Sequence, residues 1–159
     1  MALAPGTEAP DFTLMTAKDA GDKMVLPVKL SDALGGKKVV LLFFPAAFTG
    51  VCTEELCDVS GGLGAYEELD AVVYGISTDS PFAQQAWAEK EGINVTLLSD
   101  KNHEVSKAYD VLLPGLLDIG DFCHRAVFVI GKDGKILHSE QTPSPLELPD
   151  LDKIKEALK

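Results

Sequence analysis

The chain has 159 residues, of which 46% are hydrophobic and 25% are charged, a composition that fits one globular domain with a packed core and excludes a disordered chain. Its 25 acidic side chains outnumber the 14 basic ones, and the net charge of -11 disfavours nucleic acid and anionic membrane surfaces as partners. Three cysteines are too few for a secreted disulfide scaffold, so we expect a reducing, cytoplasmic compartment.

The N-terminal part of the sequence predicts three strands. Two short runs, DFTLM at 11–15 and LPVKL at 26–30, precede the continuously apolar KVVLLFF at 38–44, which is typical of a central strand buried on both faces. The whole apolar stretch, residues 39–48, is only about half as long as a membrane span and contains Pro45. The opening MALAPGTEAPDF lacks the basic end and the apolar segment of a signal peptide. We therefore expect neither a membrane partner nor secretion.

A helix is predicted to begin near Thr49. Its apolar residues recur at helical spacing, at Cys52, Leu56, Val59, Leu63 and Tyr66. The pair Gly61-Gly62 is expected to break or bend it. This prediction places Cys52 in the first turn, where unpaired backbone N–H groups and the helix dipole favour a thiolate. Thr49 could cap the helix or place its hydroxyl beside the sulfur, and Pro45 ends the strand and shapes the loop.

These residues alone leave two interpretations of Cys52 open. Free cysteine is among the most buried residue types, so Cys52 could be a small apolar residue of the core. Alternatively, it is a reactive nucleophile at a helix N terminus.

The middle of the sequence alternates strands and helices. AVVYGIS at 71–77 is a second buried strand, and NVTLL at 94–98 is a shorter candidate. Between them, Ser80-Pro81 predicts a helix start and Gly92 its end. Residues 102–110 predict another helix.

The C-terminal part predicts a hairpin and a last helix. RAVFVIG at 125–131 and KILHSE at 135–140 flank Asp133-Gly134, a strong hairpin signal. Asp150 is a suitable N-cap for a helix over 151–158.

The order of these elements predicts an α/β fold. Alternating strands and helices give parallel crossovers, and the closing hairpin adds an antiparallel edge. We expect one domain over residues 1–159, with a central mixed β-sheet flanked by helices in three layers. Ligands in such sheets bind where strand C termini meet helix N termini, and residues 44–52 form such a junction.

Several segments, in order, resemble the peroxiredoxins, thioredoxin-fold enzymes that reduce peroxides with a cysteine. PAAFTGVC at 45–52 matches their P-x-x-x-T-x-x-C signature. GTEAPDFTL at 6–14 resembles their opening segment, and LLSD with VSKAYDVL, within 97–112, resembles their middle. RAVFVIGKDGKI at 125–136 resembles the strand that carries their invariant arginine. The resemblance covers residues 3–140 and implies a thioredoxin-like fold.

The resemblance also implies a reaction and a set of residues. It assigns Cys52 as the peroxidatic cysteine, and Arg125 as the cation that holds the thiolate and the peroxide oxygens. Thr49 would hydrogen-bond the sulfur or the peroxide, and Pro45 would shield the pocket from water. Glu55 would orient Arg125. Cys52 would attack hydrogen peroxide or an organic hydroperoxide and become sulfenic acid, without a metal or an organic cofactor.

The route that restores Cys52 stays open at this point. The position of Cys57 resembles the peroxiredoxin Q subfamily, in which such a cysteine resolves the sulfenic acid. An ideal helix, however, holds Cα atoms at this spacing roughly 8.7 Å apart, and disulfides seldom bridge more than about 7 Å. A bond from Cys52 to Cys57 therefore requires the helix to unwind.

Two further routes are open. AAFTGVC resembles the AhpE type, many of which rely on an external thiol, either a thioredoxin-like protein or a small thiol. Cys123 could share the face of Arg125 if the strand begins early. The two subfamily resemblances differ on assembly, since the AhpE type is commonly a homodimer and peroxiredoxin Q is commonly a monomer.

A different class of function uses the same Cys52. A non-enzymatic redox sensor or adaptor would pass its oxidation to a partner protein instead of turning over peroxide. A thioredoxin-like dithiol exchanger is disfavoured, because Cys52 and Cys57 form C-x4-C rather than C-x-x-C. The isolated histidines and the cysteines show no zinc-ligand spacing, so we expect no metal site.

Overall fold

The computed structural model describes residues 2–159, and nine strands lie within them. They are β1 (Thr13–Thr16), β2 (Leu26–Lys29), β3 (Lys38–Phe43), β4 (Ala71–Ser77), β5 (Thr96–Ser99), β6 (Leu112–Leu116), β7 (Gly120–Cys123), β8 (Ala126–Ile130) and β9 (Ile136–Gln141). Seven of them form one sheet in the order β2-β1-β5-β4-β3-β8-β9, and β6 pairs with β7 as a separate hairpin.

The α-helices of the described chain lie on both faces of that sheet. They are α1 (Leu30–Ala33), α2 (Gly50–Gly61), α3 (Leu63–Glu68), α4 (Pro81–Glu91), α5 (Glu104–Ala108) and α6 (Leu151–Leu158). The cores place α2, α3, α4 and α6 on one face and α1 and α5 on the other. Across the described residues, no helix combines the length and the apolar character that crossing a membrane requires.

The sheet is mixed, as the order of elements predicted. β3, β4 and β5 are parallel because the segments with α2 and α3, and then α4, cross over between them. β8 is antiparallel to β3, and β9 closes the antiparallel edge through the hairpin at Asp133-Gly134. The predicted α/β fold with three layers is confirmed.

The central strand β3 has no polar side chain in its interior because both of its faces are buried. Val40 and Leu42 pack in the core on the side of α2, α4 and α6. Val39, Leu41 and Phe43 pack in the core on the side of α1 and α5. A continuous apolar run is what burial on both sides demands.

Most predicted helix boundaries are confirmed. The Ser80 side chain accepts a hydrogen bond from Ala83 N, and Gly92 ends α4 in the left-handed region with φ +69°. Asp150 accepts from two backbone N–H groups at the start of α6. Gly62 separates α2 from α3, so the predicted break is also confirmed.

The segment 102–125 departs from the sequence analysis in two places: a predicted helix is shorter than expected, and a hairpin was not predicted. The helix expected over 102–110 is limited to α5, since its start is fixed by the Asp100 carboxylate, which accepts from Val105 N and Ser106 N. The hairpin of β6 and β7 was missed. Its turn places Leu117 and Asp118 at φ +53° and +57°, a conformation usually signalled by Asn-Gly or Asp-Gly.

Candidate active site

The loop from β3 to α2 places Cys52 in the first turn of a helix. Phe44 N donates to Ile76 O, which continues β3 up to Pro45. Thr53 N then donates to Thr49 O at 2.9 Å, the bond that begins α2. Cys52 is 1% exposed, and its Sγ lies where the positive end of the helix dipole favours negative charge.

The guanidinium of Arg125 reaches the sulfur of Cys52. Arg125 directly precedes β8, which pairs with β3, and this pairing brings it to the end of β3. Its Nη2 donates to Cys52 Sγ at 3.0 Å, and its Nε donates to Pro145 O at 3.0 Å. Arg125 is only 2% exposed. A buried cation in contact with the sulfur stabilises a thiolate electrostatically.

Glu55 completes a buried charged cluster. Its Oε1 accepts from Arg125 Nη1 at 2.9 Å, while its Oε2 has no hydrogen-bond partner among residues 2–159. Burial, with a smaller contribution from Glu140, raises the pKa of Glu55 to about 7 against the lowering effect of Arg125. Burial lowers the pKa of Arg125, but Glu55 and Cys52 raise it more, so the guanidinium stays charged.

An apolar pocket of about 540 Å³ opens onto these groups. In the described chain, its lining residues are Pro45, Ala46, Thr49, Gly50, Val51, Cys52, Leu116, Leu117, Ile119, Phe122, Arg125, Ser144, Pro145 and Leu146. Arg125 is the one charged side chain among them. Leu117, Ile119 and Leu146 are 79%, 72% and 78% exposed. We call these three residues the apolar rim. The arrangement places one sulfur and one cation in a mainly apolar pocket.

Thr49 and Pro45 both line this pocket with Cys52. The Thr49 hydroxyl donates to Ala46 O at 2.7 Å and forms no capping bond with α2. The alternative in which its side chain caps the helix is therefore wrong. The bond to Ala46 O instead closes the loop onto itself, directly before the helix begins.

Cys57 lies on the same uninterrupted helix as Cys52. α2 runs continuously past both residues, so helix geometry keeps the two sulfurs apart. Cys57 Sγ is 3.8 Å from Glu91 O, and burial together with Glu91 and Asp58 raises its pKa. All three cysteines of the sequence, each within residues 2–159, are free.

Cys123 does not share the face of Arg125. The expectation depended on an early start of the strand, but β8 begins at Ala126 and Cys123 ends the separate strand β7. Its sulfur donates to Phe44 O at 3.0 Å and is fully buried in the core on the side of α1 and α5. Burial raises the pKa of Cys123 well above that of a free thiol. The condition for sharing that face is therefore not met, whereas the possible resolving role of Cys123 stays a prediction.

One polar residue beside the loop was missed. Asp79, just beyond β4, accepts a hydrogen bond from Ala47 N in the loop through its Oδ2, at 2.8 Å. The sequence did contain a signal for Asp79, because this carboxylate follows the C-terminal end of β4. β4 is parallel to β3, and the C-terminal ends of parallel strands lie at the same edge of a sheet.

Comparisons with known proteins agree with this geometry. A model of the AhpC/TSA family matches residues 5–139. Peroxiredoxin Bcp of Escherichia coli (strain K12) is 36% identical over 132 residues, covering 78% of this chain and 84% of that protein. The chloroplastic 2-Cys peroxiredoxin BAS1 of Hordeum vulgare is 36% identical over 141 residues, covering 84% of this chain and 64% of that protein. The chain thus spans less than two thirds of the length of this plant relative.

Solved structures confirm the thioredoxin-like fold that the resemblance implied. The crystal structure of peroxidoxin BcpB from Mycobacterium tuberculosis matches with a TM-score of 0.84 at 32% identity. That match covers 98% of this chain and 96% of the other. The AhpE subtype is not singled out by these similarities and stays a prediction. With a family match over most of its length and a buried cysteine–arginine pair at the expected positions, the chain belongs to the AhpC/TSA family, the peroxiredoxins.

Proposed function

We propose that this chain is a thiol-dependent peroxidase that reduces hydrogen peroxide and organic hydroperoxides through Cys52. The observation that carries the proposal is the 3.0 Å contact of Arg125 Nη2 with Cys52 Sγ beside an apolar pocket. The thiolate attacks one peroxide oxygen in line, and the O–O bond breaks. The other oxygen leaves, takes up a proton and departs as water or an alcohol, and Cys52 becomes sulfenic acid.

The neighbouring residues have distinct proposed roles. Arg125 stabilises the thiolate and the charge that develops on the departing oxygen. Glu55 holds one arm of Arg125 and thereby fixes the direction of its fork. Thr49 hydrogen-bonds the bound peroxide or the sulfur after its hydroxyl leaves Ala46 O, and Pro45 keeps water from the pocket.

The size and character of the pocket support organic hydroperoxides as substrates. Hydrogen peroxide needs only a small part of about 540 Å³, whereas this volume lies in the usual range for larger ligands. Pro45, Val51 and Phe122 give an alkyl group apolar contacts close to Cys52. Burial of such a group is favourable by about 25 cal/mol per Å² of apolar surface.

For the return of the sulfenic acid to the thiol, we propose one of two routes. In the first, the Cys57 thiol attacks the sulfenic sulfur, water leaves, and the Cys52–Cys57 disulfide is then reduced by an external dithiol. In the second, an external thiol attacks the sulfenic acid directly, and a second thiol releases Cys52 from the mixed disulfide. The Cys57 route requires the N-terminal half of α2 to unwind. Trp87, the single tryptophan of the sequence, reports on this event, because its Nε1 donates to Thr53 Oγ1 next to Cys52. The external route uses a thioredoxin-like protein or a small thiol that enters the pocket.

The setting of the reaction is also a proposal. Three free cysteines fit the cytoplasm, where thiols are kept reduced. The exposed apolar rim beside the pocket gives a homodimer a surface to bury.

Peroxide consumption tests the function. Wild type and the variants Cys52→Ser, Cys57→Ser and Cys123→Ser are compared with excess thioredoxin or dithiothreitol. We expect Cys52→Ser to lose all turnover and Cys123→Ser to keep it, since Cys123 lies in the opposite core. Turnover by Cys52→Ser would refute the assignment. A wild type that consumes about one peroxide per chain and then stops is instead a redox sensor.

Mass spectrometry after one equivalent of peroxide tests the resolving step. A Cys52–Cys57 disulfide accompanied by a change in Trp87 fluorescence supports local unwinding of α2. A persistent sulfenic acid on Cys52 indicates an external thiol. The variant Cys57→Ser is the matched control. It cannot form the Cys52–Cys57 disulfide and should therefore not show the change in Trp87 fluorescence that accompanies unwinding of α2.

A further inference from the structure

The loop at residues 45–49 decides where the reactive end of α2 lies. It is an unusual piece of backbone, since Phe48 is in the left-handed region at φ +63°. Bulky side chains rarely adopt this conformation, and it persists only when the surroundings enforce it. The bond from Thr49 Oγ1 to Ala46 O holds the loop from within, and a further restraint comes from outside the loop.

The carboxylate of Asp79 provides that restraint. Asp79 Oδ2 accepts from Ala47 N at 2.8 Å, in the middle of the loop and one residue before Phe48. Ala47 is buried, so its N–H has no ready replacement partner in solvent. Hydrogen bonds to a carboxylate are shorter and stronger than those to a neutral acceptor.

Three elements fix Asp79 in turn. Ser77 Oγ at the end of β4 donates to Asp79 Oδ2 at 2.7 Å and accepts from Gln84 Nε2 of α4 at 2.9 Å. Ser99 Oγ of β5 donates to Asp79 O at 2.6 Å. Ser77 and Gln84 are buried, so the restraint rests on strands and a helix and not on another loop.

We propose that Asp79 is a positioning residue for the peroxide reaction. It holds the loop so that Pro45 and Thr49 line the pocket and Cys52 meets Arg125. Asp79 itself is not among the pocket-lining residues, so it acts through Ala47 rather than on the substrate. The inference rests on the proposed function, because the geometry it preserves is that of Cys52 and Arg125.

The rate of the proposed reaction depends on alignment. In-line attack requires the sulfur, the two peroxide oxygens and the donors to be arranged together, and a misplacement of about 1 Å can cost about a hundredfold in rate. Without Asp79, the N–H of Ala47 is unpaired and Phe48 loses the restraint on its unfavourable backbone. The loop then relaxes, and the first turn of α2 moves with it.

The test compares Asp79→Ala and Asp79→Asn with wild type. We expect Asp79→Ala to slow oxidation of Cys52 by hydrogen peroxide by roughly ten- to a hundredfold. Amide exchange at Ala47, followed by NMR, should accelerate in the same variant. Asp79→Asn keeps a neutral acceptor and should recover part of the rate and part of the Ala47 protection. Asp79→Asn also serves if Asp79→Ala does not fold.

Asp11→Ala is the matched control. Asp11 also accepts from backbone N–H groups, Phe12 N and Ser31 N, but at the far edge of the sheet. It should lose stability without losing the rate of Cys52 oxidation.

Three results would overturn the proposal: a rate for Asp79→Ala within about twofold of wild type, unchanged Ala47 exchange, or an equal rate loss in Asp11→Ala. The Ala47 measurement needs no turnover. It therefore separates failure of this inference from failure of the proposed peroxidase function.

Discussion

At the scale of single residues, the choice of arginine at position 125 has a structural explanation. Arg125 is the only arginine among the 14 basic residues of the sequence. Its Nε, Nη1 and Nη2 donate to Pro145 O, Glu55 Oε1 and Cys52 Sγ. A planar fork can serve three acceptors in fixed directions, whereas a lysine ammonium is a point charge on a flexible stem.

This geometry predicts the effect of Arg125→Lys. The charge remains, but one ammonium cannot replace donors aimed separately at Glu55 and Cys52. We expect the rate constant with hydrogen peroxide to fall by about a hundredfold, comparable to the loss of one transition-state donor. Stopped-flow fluorescence measures it. Lys132→Arg, at an exposed position, is the control, and a near-wild-type rate for Arg125→Lys would argue against contact with the substrate.

The raised pKa of Glu55 predicts that the free energy of unfolding depends on pH. Its pKa is about 7 in the folded protein, against an ordinary value of 4.5, because burial disfavours the charged form. The folded state therefore binds this proton more tightly than the unfolded state. The resulting stabilisation is complete below about pH 4.5 and is lost as the pH rises through about 7, a change on the order of 3 kcal/mol.

Urea unfolding at several pH values from about 5 to about 8 checks this prediction. Glu55→Gln should show a flatter decline of unfolding free energy with pH than wild type. Glu67→Gln, at an exposed site in α3, should decline in parallel with wild type. Parallel curves for Glu55→Gln and wild type would contradict the raised pKa.

At the scale of elements, the approach of α2 to the sheet depends on a glycine in β4. A Cβ at Gly75 would lie 2.7 Å from Leu97 Cδ2, 3.2 Å from Phe44 Cε1 and 3.3 Å from Leu56 Cδ1. Leu56 belongs to α2, and Phe44 directly precedes the active-site loop. The glycine therefore lets the helix that carries Cys52 pack closely on the sheet.

Gly75→Ala should consequently disturb both stability and activity. Overpacking a close-packed core typically costs about 1–3 kcal/mol. Displacement of α2 should also slow peroxide reduction. Gly64→Ala in α3, where a Cβ meets nothing within 4 Å, is the control and should be neutral or slightly stabilising. Thermal unfolding and peroxide assays on both variants test this prediction. Equal unfolding temperatures for Gly75→Ala and Gly64→Ala would contradict the packing explanation.

At the scale of the whole molecule, we expect the net charge of -11 to affect how fast the proposed peroxide substrates reach the pocket. The field of the protein repels a fatty-acid hydroperoxide, which carries a carboxylate, but not a neutral alkyl hydroperoxide.

Added salt should reveal this difference. Between about 0.02 M and about 0.5 M sodium chloride, we expect the rate constant for the anionic substrate to rise roughly two- to threefold. The rate for tert-butyl hydroperoxide is the internal control and should stay constant. A decrease of the rate constant for the anionic substrate with added salt would contradict this prediction. It would show that local attraction by Arg125 outweighs repulsion by the overall negative charge.

The sequence by itself predicted the buried central strands and the order of strands and helices, and it singled out Cys52 as the candidate nucleophile. Strands β3 and β4 were predictable because burial on both faces demands a continuous apolar run. Capping residues such as Ser80 and Asp150 bind backbone groups within a few residues of themselves, so they can be predicted from the sequence without knowledge of the fold. The one-domain boundary over 1–159 stays a prediction. Cys52 and Arg125 were found through motif resemblance, not through spacing alone.

Only the tertiary structure decided which distant groups meet. Local sequence patterns do not encode the strand pairing between distant residues. This pairing places Cys123 in the opposite core and brings the Asp79 carboxylate within hydrogen-bond distance of Ala47 N. The turn at Leu117-Asp118 was missed because its backbone is imposed by the hairpin and not signalled by its residues. Motif resemblance thus pointed to Cys52 as the candidate nucleophile, and long-range packing determined what surrounds it.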